Sequence, residues 1–151
     1  MRLEELEAVC QEAARGVLDR EGRPVPPAVV LPLPAATKVV TFPEFPEDDA
    51  ERRVALAHFA HERMAPVNAP CYGFVAEGEQ PDGTSLLVVV YGARGHAAQI
   101  TAAVLDGMQL GPWAPPEELH ADAMPFLAVL QAAADAANPA EPAGGGIPGF
   151  F

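Results

Sequence analysis

Apolar residues near the start of the chain recur at intervals of three and four: Leu3, Leu6, Cys10, Ala13 and Val17, widened by Val9 and Leu18. Glu4, Glu5, Glu7, Glu12 and Arg15 take the opposite side. That period predicts an amphipathic helix, ended at Glu21-Gly22, where glycine suits a C-terminal cap. Ala28 to Leu33 and Thr37 to Phe42 read as two short strands around Pro34-Ala35-Ala36, a hairpin. Pro26, Pro27, Pro32 and Pro34 crowd the first of them, and proline cannot donate to a ladder, so this strand is expected at a sheet edge. Helical spacing returns after Pro43–Asp49. Asp48 or Asp49 can cap a second helix that runs to about Met64, with Val54, Ala57, His61 and Met64 on one face and Leu56, Phe59 and Ala60 beside them.

The second half alternates like an antiparallel meander. Cys71 to Glu77 is a strand, Pro81-Asp82-Gly83 a turn, Ser85 to Tyr91 the most apolar strand, Gly92-Ala93-Arg94-Gly95 a hairpin loop, and His96 to Leu105 a further strand. Asp106-Gly107 turns into a short piece at Met108 to Leu110. Gly111 to Pro116 reads as a rigid irregular connection and Glu117 to Ala121 as one helical turn. Asp122 looks like the cap of a last helix with the stripe Phe126, Leu130, Ala133 and Ala137, stopped by Asn138-Pro139. The order α-β-β-α-β-β-β-(β)-α predicts an α+β fold: a single antiparallel sheet, hairpin plus meander, with helices packed on one face. Residues 1–137 form one domain, and 138–151 a Pro/Gly-rich tail ending in Phe-Phe.

Charge narrows the partners. With 21 acids against nine bases the net charge is −12, which repels phosphate and argues against nucleic acid. The longest apolar run, about Leu86 to Tyr91, falls far short of the ~20 residues of a membrane helix. Acids stand where a signal peptide would be apolar. We therefore expect no membrane association and a cytoplasmic location. One lysine, Lys38, beside abundant Ala, Arg, Gly and Pro suggests a GC-rich bacterial genome. Two cysteines, Cys10 and Cys71, make no disulfide framework and read as small buried hydrophobes.

Chemistry-bearing residues are sparse. His58 and His61 stand one helical turn apart, followed by Glu62, but His-Phe-Ala-His-Glu is not a zinc-protease motif. The acids from Glu44 to Glu51 lack the spacing of a calcium loop and read as helix capping and solvation. Arg52 and Arg53 are expected to pair with Glu51, Asp48 and Asp49. Ser85 is the only serine, in an apolar strand, and no Gly-x-Ser-x-Gly elbow or phosphate loop exists. Neither a metal nor a cofactor is expected. Trp113, between prolines, either anchors an interface or plugs the sheet end. The tail is the best candidate: Ile147, Phe150 and Phe151 follow a flexible glycine run, and exposed aromatic residues need a surface to cover them.

These features lead us to expect a non-catalytic, acidic interaction or accessory domain. Its partner-binding residues would be Ile147, Phe150, Phe151 and Trp113, and its tail would dock on its own body, a sister subunit or another protein. The rival reading is a small-molecule binder or enzyme with a pocket between sheet and helices that uses His58 or His61 with Cys71 and Tyr72. A third is an acidic phage or mobile-element inhibitor, whose binding would be strongly salt-dependent.

Overall fold

The computed structural model describes residues 1–120 and 122–138. Helix α1 spans Leu3–Glu21 and buries Leu6, Cys10, Ala14, Val17 and Leu18, the face that the spacing predicts. Glu4 and Glu5 in its first turn and Arg20 in its last complement the helix dipole. The Gly22 N–H closes it by bonding Leu18 O at 2.9 Å. Just beyond, Arg23 fastens the helix end to the sheet. Its Nη2 and Nε donate to the two Glu77 carboxylate oxygens at 2.9 and 3.2 Å, and its Nη1 donates to Gly107 O at 3.1 Å. The Val25 N–H adds a bond to Glu77 Oε1.

The Arg23 hydrogen bonds, the Val25 N–H and the guanidinium charge together hold the Glu77 carboxyl below its ordinary value of 4.5. A depressed folded-state value adds stability that is complete above the ordinary value and disappears as pH falls through the folded one. Wild type should therefore exceed Glu77→Gln in urea midpoint near neutrality, and the gap should close as pH is stepped down below about 4.5. A gap that stays constant through the acid range would assign the pH response to other carboxylates.

Among the described residues seven strands form the sheet: β1 Ala28–Pro32, β2 Thr37–Thr41, β3 Cys71–Glu79, β4 Ser85–Ala93, β5 His96–Asp106, β6 Gln109–Trp113 and β7 Glu117–Glu118. The order is β2-β1-β3-β4-β5-β6, with β7 paired to β5, and every pairing is antiparallel. The α+β class and the element order match the sequence reading. Several local expectations do not. The proline-rich first strand is interior, and β2 forms the edge. The β1–β3 ladder covers only Ala28 to Val30, so Pro26 and Pro27 precede it and Pro32 lies past its end. The segment expected to be an irregular connection continues as β6 up to Trp113, which pairs with Ala103 across a bulge. Glu117 and Glu118 pair with Ile100 and Gln99 rather than forming a helical turn. β6 covers only the far half of β5, and β7 satisfies the backbone groups left over near Ile100, helped by Leu119 N bonding Ala98 O at 2.8 Å.

Helix α2 spans Asp49–Phe59, continues as a π turn over Ala60–Met64 and ends in a 3-10 turn over Ala65–Val67. Asp48 caps it as expected, its Oδ2 accepting from Glu51 N at 3.0 Å. The buried stripe is Leu56, Phe59, Ala60 and Met64. Val54 and His61, expected on the inner face, are exposed, Val54 by 69%. The bulkier Leu56 and Phe59 decide the rotation of the helix. Helix α3, Ala128–Ala136, follows a 3-10 turn over Pro125–Leu127, with Pro125 in the first turn. Asp122, expected as its cap, lies in the exposed segment before that turn.

The strands are apolar at consecutive positions: β1 is buried throughout, and β3 is buried from Cys71 to Val75. Such strands are covered on both faces. Val30, Cys71, Val75, Leu87, Val89 and Tyr91 pack with α1, and Val29, Leu31, Tyr72, Phe74 and Val90 pack with α2 and α3. The expectation of helices on one face describes α2 and α3, while α1 lies across the opposite face. There the backbone of Gly73 admits the Cys10 side chain; a Cβ at that position would overlap the Cys10 Sγ.

Candidate binding cleft

Where α3 crosses the sheet, a cleft of about 340 Å³ opens to the surface. Tyr72 of β3 and Ala98 of β5 form its floor. Leu119, Met124, Pro125, Leu127, Ala128 and Gln131 complete the lining, and the exposed Arg53 of α2 stands at the rim. The polar part of the floor is built with little freedom. Tyr72, only 1% exposed, donates its hydroxyl proton to Gln131 Oε1 at 2.9 Å. Gln131 Nε2 donates to Ala93 O at 3.0 Å and to Asp135 Oδ1 at 3.1 Å. Asp135 Oδ1 also accepts from Gly95 N at 2.9 Å, tying α3 to the β4–β5 turn.

This network needs a residue without a side chain beneath it. A Cβ on Gly92 would stand 2.6 Å from both Gln131 Oε1 and Tyr72 Oη. Gly92 sits where the β4–β5 register shifts between Tyr91 and Ala93, a bulge that re-aims neighbouring side chains.

Burial, and secondarily the Asp135 charge, pushes the Tyr72 hydroxyl well above its ordinary value of 10, so it stays a neutral phenol. Both Gln131 amide protons and the Tyr72 proton are already used, which leaves oxygen lone pairs as the free polar capacity of the floor. Arg53 donates at the rim, with one bond to Pro125 O at 3.3 Å. The cleft therefore offers an apolar surface, acceptors below and a cation above.

A second depression of about 300 Å³ lies between α2 and the sheet, lined by Phe45, Phe74, Phe126 and Arg52. Its rings interlock: Phe45–Phe126 at 5.9 Å and Phe74–Phe126 at 5.8 Å are both edge-on. The Arg52 guanidinium lies 5.3 Å from both the Phe45 and Phe126 centroids and donates to Pro46 O. Arg52 is thus a cation stacked on aromatic faces and Arg53 a donor at the cleft, where the sequence spacing suggested helix-surface ion pairs.

Of the residues singled out by sequence, Trp113 is partly buried at the end of β6 against the cluster on the α1 side. Ile147, Phe150 and Phe151 lie outside the described residues. The set proposed for a pocket enzyme is not assembled: His58 and His61 are exposed, while Cys71 and Tyr72, adjacent on β3, point to opposite faces. Among the described residues no group of three His, Cys, Asp or Glu could hold a metal ion.

Both cysteines are free and buried. Burial pushes the Cys71 thiol up to about 12, and the Cys10 thiol also rises. Since the thiolate is the reactive form, neither should react with a maleimide in the native protein, and both should react once urea unfolds it. Fast labelling of the folded chain would show that α1 lifts from the sheet.

Gln131 and Asp135, four apart on one helix, are a visible i,i+4 pair. Their partners Tyr72 and Gly92 are brought to them only by the fold, and sequence reasoning missed the site for that reason. The chain matches no protein-family model, and no curated protein or solved structure is significantly similar to it. What fold and cleft define is a class: an α+β domain with one antiparallel sheet covered on both faces and an open, amphipathic cleft beside its last helix. Among the described residues no helix is long and apolar enough to cross a membrane.

Proposed function

We propose that this is a non-catalytic protein–protein association domain whose cleft beside α3 receives an apolar side chain of its partner, with the tail as a further docking element. The observation that supports this reading is the cleft itself. Its floor is apolar around a fixed network of acceptors, its mouth is open, and a guanidinium marks the rim. Apolar anchors that fill such depressions dominate the energetics of protein interfaces. The net charge of −12 would favour a basic partner and speed its approach. Two free, buried thiols fit a reducing, cytoplasmic setting.

A photoreactive benzoylphenylalanine at Ala98, on the cleft floor, tests the reading in cells. A discrete polypeptide adduct, lost when Ala128→Trp fills the cleft, is expected. The cleft volume also lies at the lower end of the range for small-molecule sites, about 300–1,000 Å³. A small apolar ligand bearing a hydrogen-bond donor is therefore the second reading. A co-purifying small molecule in native mass spectra, without any polypeptide adduct, would favour it over the first. Absence of both would retire the cleft as a site.

A further inference from the structure

The two ends of the sheet differ. β6 ends one side with Pro112 in its five residues and a shifted register. β2 ends the other with Thr37-Lys38-Val39-Val40-Thr41, and among the described residues nothing pairs with its outer side. The flanking bonds fix which groups face outward. Phe42 N bonds Pro27 O and Leu33 N bonds Ala36 O. With Val29 opposite Val40 and Leu31 opposite Lys38, antiparallel alternation turns the main-chain groups of Lys38 and Val40 inward to β1. Those of Thr37, Val39 and Thr41 therefore point away from the sheet.

Each outward residue offers one N–H and one C=O. Side chains alternate about the same strand, Val39 against the α1-side cluster and Val40 against the α2-side one. A groove runs along each flank. The first, of about 390 Å³, includes Val9, Ala13, Arg20 and Val39; the second, of about 180 Å³, includes Leu33, Lys38, Val40 and Glu62.

We propose that β2 pairs with β2 of a second copy of this chain, antiparallel about Val39, joining two sheets into one. The strand is nearly palindromic about that residue. Val39 falls opposite Val39, Thr37 opposite Thr41, and Lys38 opposite Val40. All three outward residues then occupy hydrogen-bonded positions, and every outward main-chain group of both strands finds a partner. Val–Val and Thr–Thr are favourable cross-strand pairs.

Lys38, a residue that ordinarily guards an edge, is not placed against itself, and its stem can lie over the facing valine. The grooves carry both signs, Glu12 with Arg20 and Glu62 with Lys38 and Arg63, so the approach does not confront charges of one sign only. A twofold pairing of this kind closes on itself, and the proline in β6 disfavours continuation at the far edge. Residues 139–151 are a poor alternative occupant, since prolines at 139, 142 and 148 and four glycines make a weak strand.

Light scattering on the full chain tests this directly. The expected mass is twice the 15.8 kDa chain. Thr37→Glu/Thr41→Glu sets carboxylates directly opposite one another in the proposed register and should give monomer. Thr37→Lys/Thr41→Glu sets ammonium opposite carboxylate and should restore the dimer, which also shows that the shared substitution at Thr41 does not unfold the chain. A monomeric wild-type chain overturns the proposal. So does a dimer that survives the first double substitution, or one that the charge-swapped pair fails to restore.

Discussion

Replacing Phe74 with alanine is expected to remove about 3–5 kcal/mol of folding stability, the range found when a buried aromatic ring is deleted and its cavity only partly collapses. Phe74 is 2% exposed, in the middle of the sheet. Its ring stands 5.8 Å from Phe126, in the 3-10 turn before α3, and 6.0 Å from Phe45 in the loop before α2. Deletion would therefore loosen the ring packing among three segments, and the Arg52 guanidinium on Phe45 and Phe126 would lose the support of its stack. Since domains of this size hold about 5–15 kcal/mol in all, the variant should lose at least about a fifth of the wild-type urea midpoint with an unchanged slope. Phe74→Leu, which keeps most of the volume, should cost under about 1.5 kcal/mol. An alanine variant within that smaller range would mean that the α2-side core is not closed around this ring.

The elements that the sequence made legible are those whose signal is local. α1 shows as a continuous stripe, α2 begins at a capping aspartate, and the strands of the meander are separated by glycine and proline turns. The assignments that changed depend on neighbours distant in sequence. β1 looked like an edge because of its prolines, yet what matters is how far its ladder with β3 extends, and that stops at Val30, short of Pro32. Glu117 and Glu118 have no strand pattern of their own and pair only because β6 leaves half of β5 open. The placement of α1 on the second face was implicit in strands apolar at successive positions. The cleft was hidden for the same reason, since Tyr72 and Gln131 are 59 residues apart and Gly92 reads in sequence as part of a loop.

The two proposed surfaces do not compete. The cleft uses β3, β5 and α3, while the outer side of β2 lies beyond β1 at the far end of the sheet. A twofold through Val39 would leave both clefts of a dimer open, presenting two equivalent sites to a partner. Paired sites raise apparent affinity through effective concentration without any new contact. Loss of the dimer should then weaken capture of a multivalent partner while leaving the single-site adduct at Ala98 in place.

Gly92→Ala is the substitution expected to act most strongly on the cleft, at about 2–4 kcal/mol, combining overpacking with the loss of buried hydrogen bonds. The added Cβ would meet Gln131 Oε1 and Tyr72 Oη at 2.6 Å and Tyr72 Cε1 at 2.7 Å. Neither neighbour can swing aside at little cost. The Tyr72 ring is enclosed in the α2-side core, and the Gln131 amide is held by Ala93 O and Asp135. Displacing Gln131 would also break its bond to Asp135, the residue that ties α3 to Gly95 of the β4–β5 turn. Tyr72→Phe keeps the ring and deletes only the hydroxyl, so it should cost about 1 kcal/mol. Combining it with Gly92→Ala should not restore stability, because the ring carbon remains in the way. The ordering of these three variants in urea titrations therefore reads the geometry of the floor. A Gly92→Ala protein within about 0.5 kcal/mol of wild type, the scatter of neutral surface changes, would show that Tyr72 and Gln131 do not close over this backbone. The cleft would then lack the rigid floor on which its proposed role rests.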